Sequence, residues 1–299
     1  MSDIIIGKIH DFFPRDRVFS IKSKKQIKYY SYKKEHQSLF LEAMNYKTVF
    51  VKFDLSTKTK TVRHALVTNV DVLYFVTVAT PKGTKVLYND GDNKEGLKKI
   101  LNAYRYKMFI DLELTMPAFG EKTKFNPEIL QIGCVIVNEE DKIVNYYSNY
   151  VKTVHPISFR TYKFLSLEND AIEDAISYEE FYKDYDELIK IYNPIVYVWG
   201  QNDISSLSSS MKSHNMKVIK ADYYDLAKMH VKFFHMKEQP GLFTALKVYK
   251  EIIATQVHHA LTDAQATKEV YDGFKLVANG KLDINASDFN KKEVVPVEE

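Results

Sequence analysis

The sequence predicts two domains, a small all-β domain followed by an α/β domain in which a mixed sheet is flanked by helices. The front of the chain is a series of short β-branched and aromatic runs, whereas strand-like and helix-like segments alternate from Lys107 onward. The Asn-, Asp- and Gly-rich stretch NDGDNKEG separates the two parts. We therefore expect domains at residues 1–88 and 107–280, a linker with a helix at 89–106, and a flexible tail at 281–299.

Strand character recurs along the front domain. Each run is rich in Val, Ile, Phe and Tyr and is bounded by polar or turn residues. The runs are IIIGKI, RVFSI, QIKYYSY, TVFVKF, RHALVTNV and LYFVTVA. The stretch ATPKGTKVLY then has the Pro81 and Gly83 expected of a hairpin turn, and the apolar residues of LKKILNAYRY recur at helical spacing. Short strands in this number predict a small barrel or sandwich.

Strands and helices follow one another in the second domain. KMFIDLEL, EILQIGCVIVN and IVNYYSNYV predict three successive strands, and PIVYVWG predicts a further buried strand. The long segment ENDAIEDAISYEEFYKDYDELIKIY has helical periodicity. The later helices are predicted at ISSLSSSMKSH, YYDLAKMHVKFF, GLFTALKVYKEI and HALTDAQATKEVYDGFKLVANG, the last ending at Gly280.

Composition sets the broad class of protein. A chain of 299 residues with 45% hydrophobic content can form two cores. Its single cysteine, Cys134, excludes an internal disulfide and lies in an apolar run, as a buried thiol would. No apolar run approaches the roughly 18 residues of a membrane helix, and the amino terminus does not resemble a signal peptide. We expect a soluble, cytoplasmic protein without membrane association.

Charge is distributed unevenly along the chain. Residues 1–105 carry 20 Lys and Arg against 10 Asp and Glu, whereas the remainder carries 22 against 29. Lysine and arginine displace counterions from phosphates, so a basic domain is suited to binding nucleic acid. Runs such as SKKQIK are also compatible with ordinary solvated surfaces.

Two carboxylates, Asp111 and Glu113, lie two positions apart in the strand-like run MFIDLELTMP. Side chains at this spacing on a strand point to the same face, where their like charges need a neutralising partner. Divalent cations such as Mg²⁺ or Mn²⁺ prefer hard oxygen ligands. Taken alone, the pair is more typical of an exposed strand edge than of a metal site.

Two later motifs add acids and a histidine. In VYVWGQND an apolar strand leads directly to Asp203, and in HHALTDA His258 precedes Asp263 by five residues at the start of a helix. Open α/β sheets place their sites at the carboxyl ends of strands, so these groups can meet Asp111 and Glu113 in one cleft. The sequence therefore favours a metal site over an exposed edge.

These motifs, in this order and at this spacing, resemble the DEDDh class of 3′-to-5′ exonucleases in the ribonuclease-H-like superfamily, over roughly residues 107–275. The resemblance implies a ribonuclease-H-like exonuclease domain. Trp199 and Gly200 in WGQND, with Leu207, are most similar to the Eri-type branch, which acts mainly on RNA. Gln201 and Asn202 stand where other branches more often have an Asn-Ala run, which argues against DNA proofreading.

The resemblance also implies a mechanism and the roles of five residues. Asp111 would contact both of two divalent ions, Glu113 and Asp263 would serve the nucleophile-side ion, and Asp203 the other. His258 would act as the general base, a role suited to a side chain that titrates near neutral pH. His259 fills a variable position of the motif and is interpreted as non-catalytic.

The basic front domain resembles a cold-shock-type OB fold over residues 4–73, in GKIHDFFPRDRVFSI and YKTVFVKF. Strands two and three of that fold display aromatic residues that stack on single-stranded bases. Alternation in VFVKF places Phe50 and Lys52 on one face, and we predict that both contact nucleic acid. Tyr29, Tyr30 and Tyr32 are equally compatible with stacking and with a place in the barrel core.

Three functions are compatible with these observations. The first is a metal-dependent 3′-to-5′ exoribonuclease acting on single-stranded RNA, and the second is a single-strand DNA 3′-to-5′ exonuclease. The third is a non-catalytic nucleic-acid-binding protein with a vestigial exonuclease fold. The complete set of five matched residues favours an enzyme over the third.

Overall fold

A computed structural model describes residues 4–23, 26–120, 125–167, 172–200, 202–236, 238–250 and 258–290. The chain divides into two compact units, Met1–Gly96 and Leu97–Glu299. The division falls inside a helix, since α2 spans Asp90–Leu101. Each unit has its own hydrophobic core.

The first unit consists of strands around one helix. The elements in chain order are β1 (Ile4–Phe13), β2 (Val18–Ser23), β3 (Gln26–Ser31), α1 (Gln37–Ala43), β4 (Val49–Val62), β5 (Ala65–Thr80) and β6 (Gly83–Asn89). The hairpin turn predicted around Pro81 and Gly83 joins β5 to β6, where Thr80 pairs with Gly83. The runs RHALVTNV and LYFVTVA are parts of the single long strand β5 rather than two strands.

A five-stranded barrel forms the centre of this unit. The strand order is β3-β2-β1-β4-β5-β6, and β3 also pairs in parallel with β5, which closes the first five strands into a barrel. Phe19, Tyr30, Tyr32, Phe40 and Phe53 are buried in its interior, and their rings contact one another. This arrangement confirms the predicted OB-like fold.

The strand assignment within the barrel differs from the cold-shock prediction. The VFVKF segment belongs to β4, which pairs with β1 and β5, and is not the third strand beside β2. The reason is that QIKYYS already forms β3 beside β2, so VFVKF, which follows α1, is the fourth strand. Tyr30 and Tyr32 are core residues rather than a stacking platform, whereas Tyr29 is half-buried.

The second unit contains a sheet and six further helices among the described residues. Its elements after α2 are β7 (Lys107–Leu114), β8 (Ile129–Val137), β9 (Ile143–Tyr150), α3 (Phe159–Leu165), α4 (Tyr178–Tyr192), β10 (Ile195–Val198), α5 (Asn202–Ser213), β11 (Asp222–Asp225), α6 (Leu226–Phe234), α7 (Leu242–Lys250) and α8 (Ala260–Ala278). A short 3-10 helix at Ala286–Asn290 follows α8. Tyr223 and its neighbours were predicted to begin a helix, but they form β11 because they pair with β10.

The sheet is mixed, as predicted, with the order β11-β10-β7-β8-β9. β10 runs parallel to β7 and to β11, whereas β7, β8 and β9 are antiparallel. Met108 and Ile110 of β7 pack with α4 and α5, whereas Phe109 packs with α6, α7 and α8. Because strand side chains alternate, Asp111 and Glu113 belong to the same face as Phe109, the face covered by α8.

The end of the chain differs from the flexible tail predicted at 281–299. Phe289 is buried and its ring contacts His230, Phe234 and Tyr249, so this part of the predicted tail packs within the second unit. Residues 291–299 lie outside the described part. Within that part, none of the helices is both long enough and apolar enough to cross a membrane.

Candidate active site

The first two site residues are placed by a strand that is buried at the centre of the sheet. Asp111 and Glu113 occupy the second half of β7, where β8 pairs with them on one side. Phe109, two positions earlier on the same face, is fully buried against the rings of Tyr197 and Tyr271. This packing fixes the strand, so both carboxylates are held under the start of α8.

Asp203 reaches the same place from the neighbouring parallel strand. β10 pairs with β7 in the register Tyr197 to Phe109, and the chain then turns at Gly200, which has a φ of 103°. Such a positive φ favours glycine. Asp203 follows in the first turn of α5 and is buried, and the backbone amide of Leu112 donates a hydrogen bond to its carboxylate.

His258 and Asp263 are brought in by the start of α8. Asp263 is buried in the first turn of this helix, and its amide donates to the carbonyl of His259 at 3.0 Å. One ligand atom each from Glu113, His258 and Asp263 lie within 4.8 Å of one another. The structure therefore brings together all five residues that the sequence motifs singled out in this unit.

The electrostatics of the cluster are those of crowded, buried acids. Burial, and then the charges of Asp203, Asp263 and Glu113, raise the pKa of Asp111 well above its ordinary value. Burial, followed by Asp263 and Asp203, raises the pKa of Glu113 to about 7. Burial is also the main reason why the pKa of Asp203 rises to about 7, with Asp225 and Asp263 adding to it. Burial and crowding thus make these carboxyl groups costly to ionise, and a bound cation would offset that cost.

The donor set fits divalent metal ions. Four carboxylates supply hard oxygen ligands, which Mg²⁺ and Mn²⁺ prefer, and a histidine lies beside them. Asp225, at the end of β11, adds a nearby acid that the sequence motifs did not indicate. Its effect on Asp203 requires the pairing of β11 with β10, which sequence patterns do not specify.

A group of exposed rings borders the site and was also not predicted. Phe164 of α3 lies against the imidazole of His258, with ring centroids 4.3 Å apart, and is 46% exposed. Phe159 on the same helix is 75% exposed and Phe119 is 70% exposed, with the guanidinium of Arg160 5.6 Å from the Phe119 ring centroid. We call Phe119, Phe159, Arg160 and Phe164 the aromatic patch.

Two hydrogen bonds fix the aromatic patch to the segment that follows β7. The Ser158 hydroxyl donates to the Met116 carbonyl at 2.8 Å, and the Met116 amide donates to the Thr161 hydroxyl at 2.9 Å. Ser158 is also the N-cap of α3, where its hydroxyl accepts from the Thr161 amide. The start of α3, the helix that carries three residues of the patch, is thereby joined to the segment that follows β7.

Phe50 and Lys52 lie in the first unit, on the outer face of β4. Phe50 is 41% exposed, and its cross-strand partner on β1 is the exposed Lys8. The ammonium of Lys52 lies 5.3 Å from the Tyr74 ring centroid. The two residues thus form part of a surface that is both aromatic and basic. Gln201, which the sequence motif included, lies outside the described residues.

Known proteins match the second unit. Residues 108–271, more than half of the chain, match the exonuclease family RNase_T. The chain belongs to this exonuclease family. This membership confirms the predicted ribonuclease-H-like exonuclease domain, and it makes the protein a nuclease, as the complete set of site residues indicated.

Individual relatives are similar over the same part. "Probable 3'-5' exonuclease KapD" of Bacillus subtilis (strain 168) is 29% identical over 178 residues, which cover 58% of this chain and 85% of KapD. The nuclease domain of 3'hExo, described as a DEDDh family member and bound to rAMP, has a TM-score of 0.51 at 19% identity, covering 61% of this chain and 96% of that one. A 3'-exonuclease solved for its recognition of the histone mRNA stem-loop has a TM-score of 0.51 at 18% identity, covering 60% and 66%. These structures share the fold of the second unit.

Proposed function

We propose that the protein is a metal-dependent 3′-to-5′ exoribonuclease that shortens single-stranded RNA from its 3′ end and releases 5′ mononucleotides. The observation that carries this proposal is the cluster of four carboxylates beside His258 in an RNase_T exonuclease domain. The 3′-to-5′ direction is supported by the similarity to KapD, a probable 3′-5′ exonuclease.

Phosphodiester hydrolysis needs a nucleophile, a base and stabilisation of charge on the leaving oxygen. Two divalent ions, Mg²⁺ or Mn²⁺, held by Asp111, Glu113, Asp203 and Asp263, would supply Lewis acidity and a water of lowered pKa. His258, which lies next to Glu113 and Asp263, would accept the proton of the attacking water. Its contact with Phe164 restricts the orientation of the imidazole.

The aromatic patch supports a single-stranded substrate. Clustered exposed apolar groups often mark interaction sites on soluble proteins. Here Phe159 and Phe164 are exposed on one helix, and the exposed ring of Phe119 lies beside Arg160 of the same helix. Unpaired bases stack on such rings with little dependence on sequence, while arginine pairs with phosphate. Bases in a duplex have no free faces for this contact.

Two observations favour RNA over DNA. The WGQND motif and Leu207 resemble the RNA-acting branch of the class, and the similar histone mRNA nuclease recognises an RNA. The basic first unit, with Phe50 and Lys52 on the outer face of its barrel, would retain the strand while its end is shortened. A single-strand DNA exonuclease is the alternative outcome of the experiment below.

Cleavage of labelled strands tests the proposal directly. The protein is incubated with 5′-labelled single-stranded RNA and DNA of equal sequence, in Mg²⁺, in Mn²⁺ and in chelator. We expect a ladder of shortened RNA that requires metal, and slower shortening of DNA. Laddering that persists in chelator would refute the metal-dependent mechanism, and faster shortening of DNA would replace RNA by DNA as the substrate.

The variant Asp111→Asn tests the site. Removing this carboxylate should abolish turnover while binding of RNA, measured by fluorescence anisotropy, changes less than about threefold. Glu179→Asn, at an exposed position on α4, is the matched control and should cleave like the wild type. Full activity of Asp111→Asn would remove Asp111 from the proposed site.

A further inference from the structure

A single polar side chain interrupts the fully buried strand β8. All nine residues of this strand are buried, and Gln131 is the one that carries a hydrogen-bonding side chain other than the thiol of Cys134. A buried amide needs partners for both its oxygen and its nitrogen. The partners of Gln131 determine what this residue does.

The register of the sheet places Gln131 beside the candidate active site. β7 and β8 are antiparallel, and Gln131 pairs directly with Glu113 while Gly133 pairs with Asp111. Directly paired residues of antiparallel strands point to the same face. Gln131 therefore points toward the start of α8, as the two carboxylates do.

Both ends of the Gln131 amide are hydrogen-bonded to the start of α8. The backbone N–H of Ala260 donates to Oε1 at 3.1 Å, and Nε2 lies 2.9 Å from Nε2 of His259. Because Ala260 N–H can only donate, the amide oxygen must face it, and the amide nitrogen then donates to His259. His259 and Ala260 are thus both hydrogen-bonded to one side chain of β8.

Gly133 allows this contact to be close. A Cβ at this position would lie 2.2 Å from the backbone carbon of Ala260 and 2.2 Å from the amide nitrogen of Leu261. The backbone at the start of α8 therefore packs directly against the backbone of Gly133, two residues along the strand from Gln131. Contact at Gly133 sets the height of the helix above the sheet, and the Gln131 amide sets its position along the strand.

We propose that Gln131 is a positioning residue that places His258 and Asp263 against Asp111 and Glu113. Its two partners, His259 and Ala260, lie between the proposed base and the fourth carboxylate in the chain. These two hydrogen bonds join the first turn of α8 to the strand that pairs with β7. The inference rests on the proposed roles of His258 and Asp263, but the contact itself can be measured without activity.

Three variants of the full chain separate positioning from packing. Gln131→Met keeps the length and volume of the side chain but removes both hydrogen bonds. Gln131→Glu keeps an acceptor for Ala260 N–H, and its second oxygen accepts from His259 once that ring carries its proton on Nε2. Gln265→Met makes the same replacement at an exposed position of α8 and is the matched control.

The activity measurement determines kcat and KM separately on single-stranded RNA at saturating Mn²⁺. We expect Gln131→Met to lower kcat about 10- to 100-fold, with KM changed less than about twofold. A loss of this size is typical when a residue that hydrogen-bonds and orients the ligand residues is removed. Gln131→Glu should recover kcat to within about fivefold of the wild type, and Gln265→Met should match it. A folded Gln131→Met enzyme with wild-type kcat, or Gln131→Glu as impaired as Gln131→Met, would overturn the proposal.

Amide hydrogen exchange tests the contact independently of catalysis. Protection of the Ala260 amide should fall at least tenfold in Gln131→Met and persist in Gln131→Glu, with the centre of α8 unchanged in both. Unchanged protection in Gln131→Met would refute the anchor even in a protein that does not cleave RNA. If Gln131→Met fails to fold, His259→Leu removes only one of the two bonds, and its kcat should fall about threefold or more. A wild-type kcat in that variant would overturn the role of His259.

Discussion

Glu113 should destabilise the metal-free protein at neutral and alkaline pH. Burial and neighbouring carboxylates raise its pKa from 4.5 to about 7. A group whose pKa is raised by folding contributes stability that is present below its unfolded pKa and is lost as pH rises through its folded value. The free energy of unfolding should therefore fall between about pH 4.5 and pH 7, and Glu113→Gln should remove this part of the dependence.

The size of the effect follows from the two pKa values. At 1.36 kcal/mol for each pKa unit, the raised pKa of Glu113 lowers the free energy of unfolding by about 3 kcal/mol at pH 8 and by about 1 kcal/mol at pH 5. The replacement by the neutral amide should then stabilise the metal-free protein by about 2 kcal/mol more at pH 8 than at pH 5. Relaxation of the cluster reduces this figure, so it is an upper value.

Urea unfolding in chelator at pH 5 and pH 8 measures this difference. Trp199 is the single tryptophan of the chain and lies at the end of β10, so its fluorescence reports on the unit that contains the site. Glu179→Gln, on the exposed face of α4, controls for the loss of a surface charge. Glu113→Gln that follows the wild type at both pH values would refute the assignment of Glu113 to a crowded acidic cluster.

Two further predictions concern contact with the substrate. Phe164→Ala should raise KM for short single-stranded RNA about tenfold, because one base loses a stacking partner worth about 1–3 kcal/mol, while Ile191→Ala, at a more exposed apolar position of α4, should leave steady-state kinetics unchanged. Lys52→Ala should weaken binding of long single-stranded RNA and lower the slope of log K against log salt by about 0.7, and Phe50→Ala should weaken binding without changing that slope. Equal salt slopes for Lys52→Ala and the wild type, measured by anisotropy, would show that Lys52 does not contact phosphate.

The elements that carry the site could be predicted because their signals are local. The alternation in MFIDLELT and the five-residue spacing from His258 to Asp263 each specify a face and an element end without knowledge of the rest of the chain. Both survive in the structure as β7 and the first turn of α8. A local signal also indicated β8, because a short and nearly continuous run of apolar residues is typical of a strand buried on both faces.

The features that depend on strand pairing could not be predicted in the same way. The alternation of VFVKF predicts a strand but not its neighbours, so its place as β4 beside β1 required the barrel. Tyr223 and Tyr224 adjoin a helical run, and only their pairing with β10 makes them a strand. Phe289 is one apolar residue in a polar stretch, and its burial depends on α6 and α7.

Gln131 shows how a functional hypothesis can depend on register alone. In the sequence Gln131 is one glutamine in an apolar run. The sequence pattern is the same whether the buried amide is hydrogen-bonded or left without partners. Once β7 and β8 are paired, it lies opposite Glu113, and Gly133 lies opposite Asp111. On β8, the Gln131 amide thus hydrogen-bonds the start of α8, and the missing side chain of Gly133 leaves space for the helix backbone.

Positioning of this kind is needed because the acidic cluster opposes its own formation. Burial, and then the charges of neighbouring acids, raise the pKa values of Asp111, Glu113 and Asp203, so ionising these carboxyls costs free energy when the site is folded without cations. Packing around Phe109 fixes the strand that bears two of them, and the Gln131 amide together with contact at Gly133 fixes the helix that bears a fourth acid. If that anchor were absent, repulsion from Glu113 and Asp111 would favour displacement of Asp263 before any cation was bound. Apolar packing around Phe109 and the polar anchor at Gln131 would therefore act together to keep the four acids in place for metal and substrate.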